Sequence, residues 1–132
     1  MSDVELVMSF IELAWNRGDE AAAEKLLGPR FQHHDLVTHA ESDTSAYLGS
    51  ITALRSMFAS VELRIRDIFG TDGRIGSRWT AIGTHRSGMS VEINGLSIDH
   101  VVNGRISENW TAWDLTGLQQ QLPGVLGRED SG

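Results

Sequence analysis

The carboxylate best placed for chemistry is Asp114, which ends the segment Arg105–Asp114. This segment is predicted to be a β-strand, in which successive side chains point to opposite faces. Asp114 then shares its face with Ile106, Glu108, Trp110 and Ala112. Beside these residues the carboxylate would lose solvation, which raises its pKa and suits it to proton transfer at neutral pH. The alternatives are that the opposite face lies inside, or that Asp114 merely caps the following turn.

His100 is the second candidate for acid–base chemistry. It comes shortly before the hairpin turn Asn103–Gly104, which places it opposite the early part of the last strand. Direct contact with Asp114 would therefore need strong sheet curvature or a bridging substrate. A neutral imidazole can donate or accept a hydrogen bond, but His100 can equally be a structural residue.

The other histidines do not predict a metal site. His85 follows the second predicted strand, and His33, His34 and His39 lie in or near one short segment. His33 and His34 are adjacent, so a strand would send them to different faces. The chain has no cysteine and lacks the ligand spacings typical of zinc sites. We therefore expect no metal and no other cofactor.

Composition excludes several classes of partner and chemistry. The 132 residues carry a formal net charge of −7, and an acidic chain is unsuited to binding nucleic acid. Lys25 is the only lysine, which argues against Schiff-base catalysis. No apolar run is long enough to span a membrane. The start of the sequence is acidic rather than basic, unlike a signal peptide, and we expect a cytoplasmic protein.

Helices are predicted in the first half of the chain: Asp3–Arg17, Asp19–Leu27, and a third from Thr44 or Ser45 to about Phe58. In the first, apolar residues recur three and four positions apart, the period of an amphipathic helix. Ser2 or Asp3 can cap this helix and Asp19 can cap the second. Gly28–Pro29 is predicted to end the second helix.

Strands are predicted in the second half, where apolar and polar residues alternate from Val61. The later strands are Arg74–Thr84, Val91–Val102 and Arg105–Asp114, while Phe31–Val37 is either a short strand or irregular. Turns are expected at Glu41–Ser45, Thr71–Gly73 and Asn103–Gly104. Helices followed by antiparallel strands indicate an α+β fold. We expect one domain over residues 1–132, with a core of about 4–122 and a flexible tail at 123–132 after a short apolar turn from Leu115.

Several stretches closely resemble SnoaL-like proteins. The resemblance covers residues 5 to 122, and its most specific part is the C-terminal half. The residues that carry it are Gly83-Thr84-His85, Asp99-His100-Val101-Val102-Asn103-Gly104-Arg105-Ile106, Glu108-Asn109-Trp110-Thr111-Ala112-Trp113-Asp114-Leu115, Gly117-Leu118 and Gln121-Leu122. Shorter matches are Trp15-Asn16-Arg17-Gly18-Asp19 and Phe31-Gln32-His33-His34-Asp35.

The resemblance implies a cone-shaped, curved antiparallel sheet wrapped by three N-terminal helices and enclosing a pocket, as in the nuclear-transport-factor-like superfold. It implies a cofactor-independent polyketide cyclase that performs an intramolecular aldol condensation, and a homodimer formed through the convex side of the sheet. Asp114 is implied to be the catalytic acid/base, and His100 is implied to be a catalytic residue that contacts the substrate oxygens. His34 is implied to be the pocket histidine, because the family has a histidine just before an aspartate there.

In such a cone the core also forms the pocket wall, which suits a flat, apolar, oxygenated substrate. The predicted substrate-binding residues are His34, His85, Trp110, Trp79, Trp15, Phe10 and Phe58, with Met57 beside them. One departure is the short loop Arg86–Ser90, where cyclases usually have a longer one, so a different pocket mouth is expected.

Fold alone does not fix chemistry, and two alternatives stay open. The first is an epoxide hydrolase, isomerase or hydroxylase on the same scaffold. For epoxide hydrolysis the candidates are Arg78 and Asp67 on neighbouring strands. The second is a non-catalytic dimeric module that binds a small ligand.

Overall fold

The computed structural model describes residues 1–125. Its helices are α1 (Asp3–Ile11), α2 (Glu20–Glu24), α3 (Thr44–Ser56) and α4 (Leu115–Val125), and a π-helical segment, Glu12–Asn16, continues α1. The strands are β1 (Leu27–Asp35), β2 (Glu41–Ser42), β3 (Ser60–Thr71), β4 (Arg74–Thr84), β5 (Ser90–Val102) and β6 (Arg105–Trp113). Each of the four helices within these residues is too short or too polar to cross a lipid bilayer.

The predicted α+β class is confirmed. The six strands form one curved, unclosed sheet in the order β2-β1-β6-β5-β4-β3. Neighbouring strands are antiparallel except β1 and β6, which are parallel. Helices α1 and α3 pack on the inner face of the sheet, where Val7, Phe10 and Ile51 join the buried core with Phe31 and Ile106.

The predicted hairpins are confirmed by backbone geometry. Asp72 and Gly73 have φ of 54° and 75°, and Asn103 and Gly104 have φ of 52° and 73°. Two successive residues with positive φ are the signature of the tight type I′ turn, which matches the twist of antiparallel strands. These turns fix the pairing of β3 with β4 and of β5 with β6.

Several predicted boundaries in the first half of the chain are wrong. The second helix ends at Glu24 rather than Leu27, and Gly28–Pro29 lies inside β1 instead of stopping a helix. Proline is tolerated there because Pro29 lies in the irregular stretch between the Leu27–Ile106 pair and Gln32, where the pairing of β1 with β6 resumes. Helix α3 is capped by Asp43, whose carboxylate accepts from the N–H of Ala46.

The polar segment after β1 is also more ordered than predicted. Glu41–Ser42 forms β2, which pairs with His33 and His34 of β1. At the other end of the chain, Leu115 opens helix α4 rather than a short turn. The predicted flexible tail, residues 123–132, lies for its larger part outside the described residues.

The first helix is held to the sheet by one asparagine. Asn16 accepts from the backbone N–H of Leu63 through Oδ1, at 2.7 Å, and donates to the Leu63 carbonyl through Nδ2, at 3.2 Å. Its amide thus replaces a strand partner at the edge of β3. The guanidinium of Arg55 donates to the carbonyl of the neighbouring Trp15. These contacts fix the π-helical segment, and with it the indole of Trp15, above the sheet.

Gly95 gives room for the indole of Trp79 on the neighbouring strand. The two residues are paired across β4 and β5, and a Cβ built on Gly95 would overlap the Trp79 ring. A side chain at position 95 would therefore push this ring out of place.

We expect Gly95→Ala to destabilise the fold by about 1–3 kcal/mol, the usual cost of overpacking, measured by urea denaturation. Gly49→Ala is the matched control, because a Cβ at Gly49 of α3 meets nothing within 4 Å. It should stabilise by about 0.5–1 kcal/mol, since alanine favours a helix over glycine. Equal effects of the two substitutions would contradict the close packing of Trp79 on Gly95.

Candidate active site

A cavity of about 260 Å³ lies between the concave face of the sheet and helices α1 and α3. Its wall is mainly apolar, and its polar side chains come from four strands and one helix. The apolar lining residues include Val7, Phe10, Trp15, Leu54, Trp79, Ile93, Trp113 and Leu118. The polar lining residues are His33, Asp35, Tyr47, Ser50, Ser77, Ser97, Asp99, Asn109 and Thr111.

Three of the predicted substrate-binding residues line this cavity. Phe10 comes from α1, Trp15 from the π-helical segment and Trp79 from β4. These three elements therefore contribute aromatic side chains to one cavity wall.

The structure places Asp114 outside the cavity, which corrects the expectation that its face lines the pocket. Asp114 is exposed and follows the last residue of β6. Its Oδ1 accepts from the backbone N–H of Gly117 at 2.9 Å, so the carboxylate caps helix α4. This is the alternative role that the sequence left open.

A β-bulge at Ser107 is the reason that Asp114 lies on the face of β6 away from the cavity. Ile106 pairs with Val101, but the next pair along the ladder is Glu108 with His100, so Ser107 has no partner of its own. One extra residue exchanges the faces for the rest of the strand. Ile106 therefore lines the cavity together with Asn109, Thr111 and Trp113, and Trp110 and Asp114 fall on the other side.

His100, His34 and Trp110 lie on the outer face of the sheet, not in the cavity. His34 Nε2 is 2.6 Å from Glu108 Oε2, and its ring stacks on Trp110 with 5.4 Å between centroids. His100 is paired with the same Glu108 across β5 and β6. The choice of His34 as the pocket histidine is thus corrected, because the adjacent His33 points inward.

The remaining predicted binding residues also lie outside the cavity lining. His85 is in the loop after β4, where Nδ1 contacts the hydroxyl of Ser87 at 3.0 Å. Phe58 packs over Gly83 near the end of β4, and Met57 is exposed. All three were expected in the wall, but Met57 and Phe58 follow the end of α3 at Ser56 and His85 follows the end of β4.

The chemistry of the cavity centres on Asp99, which the sequence analysis missed. Asp99 lies on β5 and is 6% exposed. Its Oδ1 accepts from Asn109 Nδ2 at 2.9 Å, and Asn109 Oδ1 lies 2.7 Å from His33 Nδ1. One buried amide thus joins two titratable groups of the cavity, Asp99 and His33.

The orientation of this amide follows from its partners. A carboxylate can only accept, so the NH₂ of Asn109 must face Asp99. The amide oxygen then accepts from the hydroxyl of Thr111 at 2.9 Å and from His33 Nδ1–H. His33 therefore carries its proton on Nδ1 when neutral, and its Nε2 is an acceptor.

A chain of hydrogen bonds continues from Asn109 across the inner face of the sheet. Trp79 Nε1–H donates to Ser97 Oγ at 2.9 Å, and Ser97 is 3.1 Å from Thr111 Oγ1. An indole can only donate, and the Thr111 proton is already given to Asn109. The Ser97 proton therefore goes to Thr111, and every hydroxyl in the chain has a defined direction.

Burial and the neighbours of Asp99 set its acidity. Desolvation raises the pKa of Asp99 to about 6, although the hydrogen bond from Asn109 works in the other direction. A carboxyl with a pKa of about 6 is mostly ionised at neutral pH and is a stronger base than a solvated aspartate. Asp99 lines the cavity, and its second oxygen, Oδ2, makes no hydrogen bond with a described residue.

The residues around Asp99 stay uncharged. Desolvation lowers the pKa of His33, so its imidazole is neutral at pH 7. Burial, and then the nearby Asp99 carboxylate, raises the pKa of Tyr47 well above its usual value. The two rings stack with 4.2 Å between centroids. Asp99 is thus the group in this cluster that changes charge near neutrality.

A second carboxylate lies at the cavity wall but is held differently. Both oxygens of Asp35 accept from Trp113 Nε1, at 3.2 and 3.0 Å. Burial works to raise the pKa of Asp35, but hydrogen bonds from the backbone of Thr38, from Trp113 and from the backbone of Val37 lower it overall. Asp35 is therefore a fixed anion that positions Trp113, whereas Asp99 is available for proton transfer.

Nothing in this part of the chain fits a metal. Within residues 1–125, no three or more histidine, aspartate or glutamate side chains are grouped so that they could hold an ion.

The sequence offered one signal for Asp99: it interrupts an inward-facing set on β5, Val91, Ile93, Gly95, Ser97 and Val101. That signal was weak, because the opposite face of β5 also mixes polar and apolar residues.

The raised pKa of Asp99 has a consequence for stability. The folded protein binds a proton at Asp99 up to about pH 6, whereas the unfolded chain releases it near 3.8. Between these values the folded state holds more protons, so this group's contribution to stability falls as the pH rises. A difference of about two pH units corresponds to a loss of up to about 3 kcal/mol.

We expect Asp99→Asn to be as stable as the wild type near pH 4 and more stable above pH 6.5, measured by urea denaturation across this range. Asparagine can still accept from Asn109, and His33 is present in both proteins, so the difference isolates the Asp99 charge. A stability difference that does not grow between pH 4 and 6.5 would contradict the raised pKa.

Comparison with known proteins places this geometry in a family. The model of the SnoaL-like polyketide cyclase family matches residues 5–122. No curated protein sequence matches the chain. Many solved structures share the fold, among them the proposed polyketide cyclase IdmH from Streptomyces antibioticus, with a TM-score of 0.84 and 23% identity over 92% of this chain and 99% of that one.

Two further structures illustrate the range of that fold. A proposed polyketide cyclase from Acidithiobacillus ferrooxidans has a TM-score of 0.81 and 22% identity, covering 94% of this chain and 96% of its own. AclR, a proposed hydroxylase from Streptomyces galilaeus, has a TM-score of 0.79 and 20% identity, covering 91% and 83%. At these identities the structures establish the cone-shaped fold, and the family match over residues 5–122 shows that the chain belongs to the SnoaL-like polyketide cyclase family.

Proposed function

We propose that this protein is a cofactor-independent acid–base enzyme that closes a ring in a small polyketide-like substrate by intramolecular aldol condensation. The observation that carries the proposal is the buried Asp99 carboxylate, whose pKa is raised to about 6, in a mainly apolar cavity. A base with a pKa near the working pH is suited to removing a proton from carbon.

The proposed reaction needs one base that acts twice. Asp99 takes a proton from the carbon between two carbonyl groups, and the electron pair of that C–H bond becomes an enolate. The enolate carbon then forms a bond to a second carbonyl carbon of the same molecule, whose oxygen becomes an alkoxide. Protonated Asp99 returns the proton to this oxygen, so the carboxylate is regenerated and no electrons are gained or lost.

The cavity limits the size of the group that reacts. An enclosed cavity of about 150 Å³ accommodates benzene, so about 260 Å³ suits a reacting portion larger than one ring. The wall is mainly aromatic and aliphatic, and its polar groups include the connected set Asp99, Asn109 and His33. This arrangement supports a flat, oxygenated substrate that buries its apolar part against Phe10, Trp15 and Trp79.

The alternative chemistries receive unequal support. The Arg78–Asp67 pair considered for epoxide hydrolysis is a half-exposed ion pair, 2.7 Å from Nε to Oδ2, and neither residue lines the cavity. Isomerisation of a carbonyl compound needs the same base as the aldol reaction and differs only in returning the proton to another carbon. Because Asp99 could supply that base, an isomerase is the second candidate function.

Replacing Asp99 tests the function directly. With a panel of β-ketoesters that can cyclise, we expect Asp99→Asn to lower kcat by about 100-fold or more, the usual contribution of a general base. Asp114→Asn is the matched control, because Asp114 is exposed and caps α4, and it should keep most of the activity. Loss of activity in Asp114→Asn but not in Asp99→Asn would overturn the assignment.

We also propose that the protein is a homodimer formed through the outer face of the sheet. A row of paired residues crosses four strands of that face: Phe69, Gly76, Ile98 and Trp110. Phe69 and Ile98 are 70% and 51% exposed, and the adjacent Leu96 is 59% exposed. A contiguous apolar row of this kind is typical of an interface, and a second copy presents the same row.

Introducing a charge into this row tests the dimer. We expect Ile98→Asp to convert the protein to a monomer in analytical ultracentrifugation, because a desolvated carboxylate at the interface is strongly unfavourable. Met57→Asp is the control: Met57 has a comparable exposure of 64% but follows helix α3, away from the row. A monomeric wild type, or a dimer in Ile98→Asp, would contradict the proposal.

A further inference from the structure

The hydroxyl of Ser77 stands out among the polar groups of the cavity. Ser77 lies on the inner face of β4, is 5% exposed and lines the cavity. Its Oγ is the one fully buried side-chain nitrogen or oxygen within the described residues that has no hydrogen-bond partner there. An unpaired buried hydroxyl costs free energy, so such groups are rare unless they have a role.

The neighbours of Ser77 are already engaged. Ser97 lies directly opposite Ser77 in the pairing of β4 with β5. The hydroxyl of Ser97, however, accepts from Trp79 and donates to Thr111. The hydrogen-bond chain therefore does not include Ser77, and its hydroxyl stays unpaired within the described residues, in the wall of the cavity.

Ser77 is also close to the proposed base. Ile75 is the residue opposite Asp99, and Ser77 follows two positions later on the same face. Ser77 and Asp99 are therefore diagonal neighbours, whose Cα atoms lie about 7–8 Å apart in an antiparallel pair. That separation leaves room between the two side chains for a carbonyl group and its adjacent carbon.

We infer that Ser77 binds the carbonyl oxygen of the substrate whose neighbouring carbon gives its proton to Asp99. The Ser77 O–H donates to this oxygen, and the hydrogen bond becomes stronger as the oxygen gains charge in the enolate. The ligand class is a planar ketone or enol, and an aromatic alcohol is its stable mimic. This inference rests on the proposed function and deepens it: Asp99 is the base, and Ser77 is the hydrogen-bond donor to the enolate oxygen.

For Ser77→Ala, the inference predicts that the free protein becomes more stable and that the complex with a ligand becomes weaker. Ser77→Ala removes an unpaired hydroxyl, so it should raise the Tm of the free protein. Ser97→Ala removes a hydroxyl with two partners, so it should lower the Tm. A merely structural role for Ser77 would give a lower Tm in both variants.

Binding of 2-naphthol, with naphthalene as the probe that lacks the hydroxyl, tests the complex by fluorescence titration. We expect Ser77→Ala to weaken 2-naphthol binding about tenfold, the effect of one lost hydrogen bond in a buried site, and to leave naphthalene within twofold. Ser50→Ala is the matched control, because Ser50 lines the same cavity but donates to the Tyr47 carbonyl at 2.7 Å. It should leave the binding of both probes unchanged.

An equal effect of Ser77→Ala on both probes, or no effect on either, would overturn the inference, as would failure of 2-naphthol to bind the wild type at millimolar concentration. These measurements need no turnover. Full activity in Asp99→Asn would contradict the proposed function. The difference between 2-naphthol and naphthalene binding could still be measured in that case, so the two claims are tested separately. Conversely, loss of activity in Asp99→Asn with unchanged 2-naphthol binding in Ser77→Ala would overturn the role of Ser77 alone.

Discussion

A carboxylate enclosed by apolar side chains is the constraint around which the interior of this protein is arranged. Asp99 is buried beside Tyr47 and beneath helices α1 and α3, and one hydrogen bond from Asn109 compensates only part of its lost hydration. Asn109 links Asp99, His33 and Thr111 by hydrogen bonds, and Thr111 continues the chain to Ser97. Helices α1 and α3 pack over this inner face of the sheet.

This arrangement separates two tasks between two aspartates. Asp35 is surrounded by donors, which hold it as an anion and fix the indole of Trp113. Asp99 has a single donor and deep burial, which hold its pKa near 6. Two carboxylates in one cavity thus differ in acidity because of their hydrogen bonds and desolvation, and this difference is what acid–base catalysis requires.

The two faces of the sheet carry different sets of side chains, and the bulge at Ser107 determines which residues of β6 lie on each face. Inside, it joins Asn109, Thr111 and Trp113 to the polar cluster. Outside, it brings His34, Glu108 and Trp110 together beside the apolar row that ends at Phe69. One sheet therefore carries a polar cavity cluster on its inner face and an apolar row on its outer face.

The sequence by itself determined the α+β class, the two tight turns and most of β4, β5 and β6, because glycine-containing turns and alternation are local signals. It also identified Phe10, Trp15 and Trp79 as cavity residues, since large aromatic side chains are more often part of a core. Only the tertiary structure decided between Asp114 and Asp99, and between His34 and His33. A single unpaired residue, Ser107, exchanges the faces of β6, and a bulge depends on pairing with distant strands that no local pattern encodes.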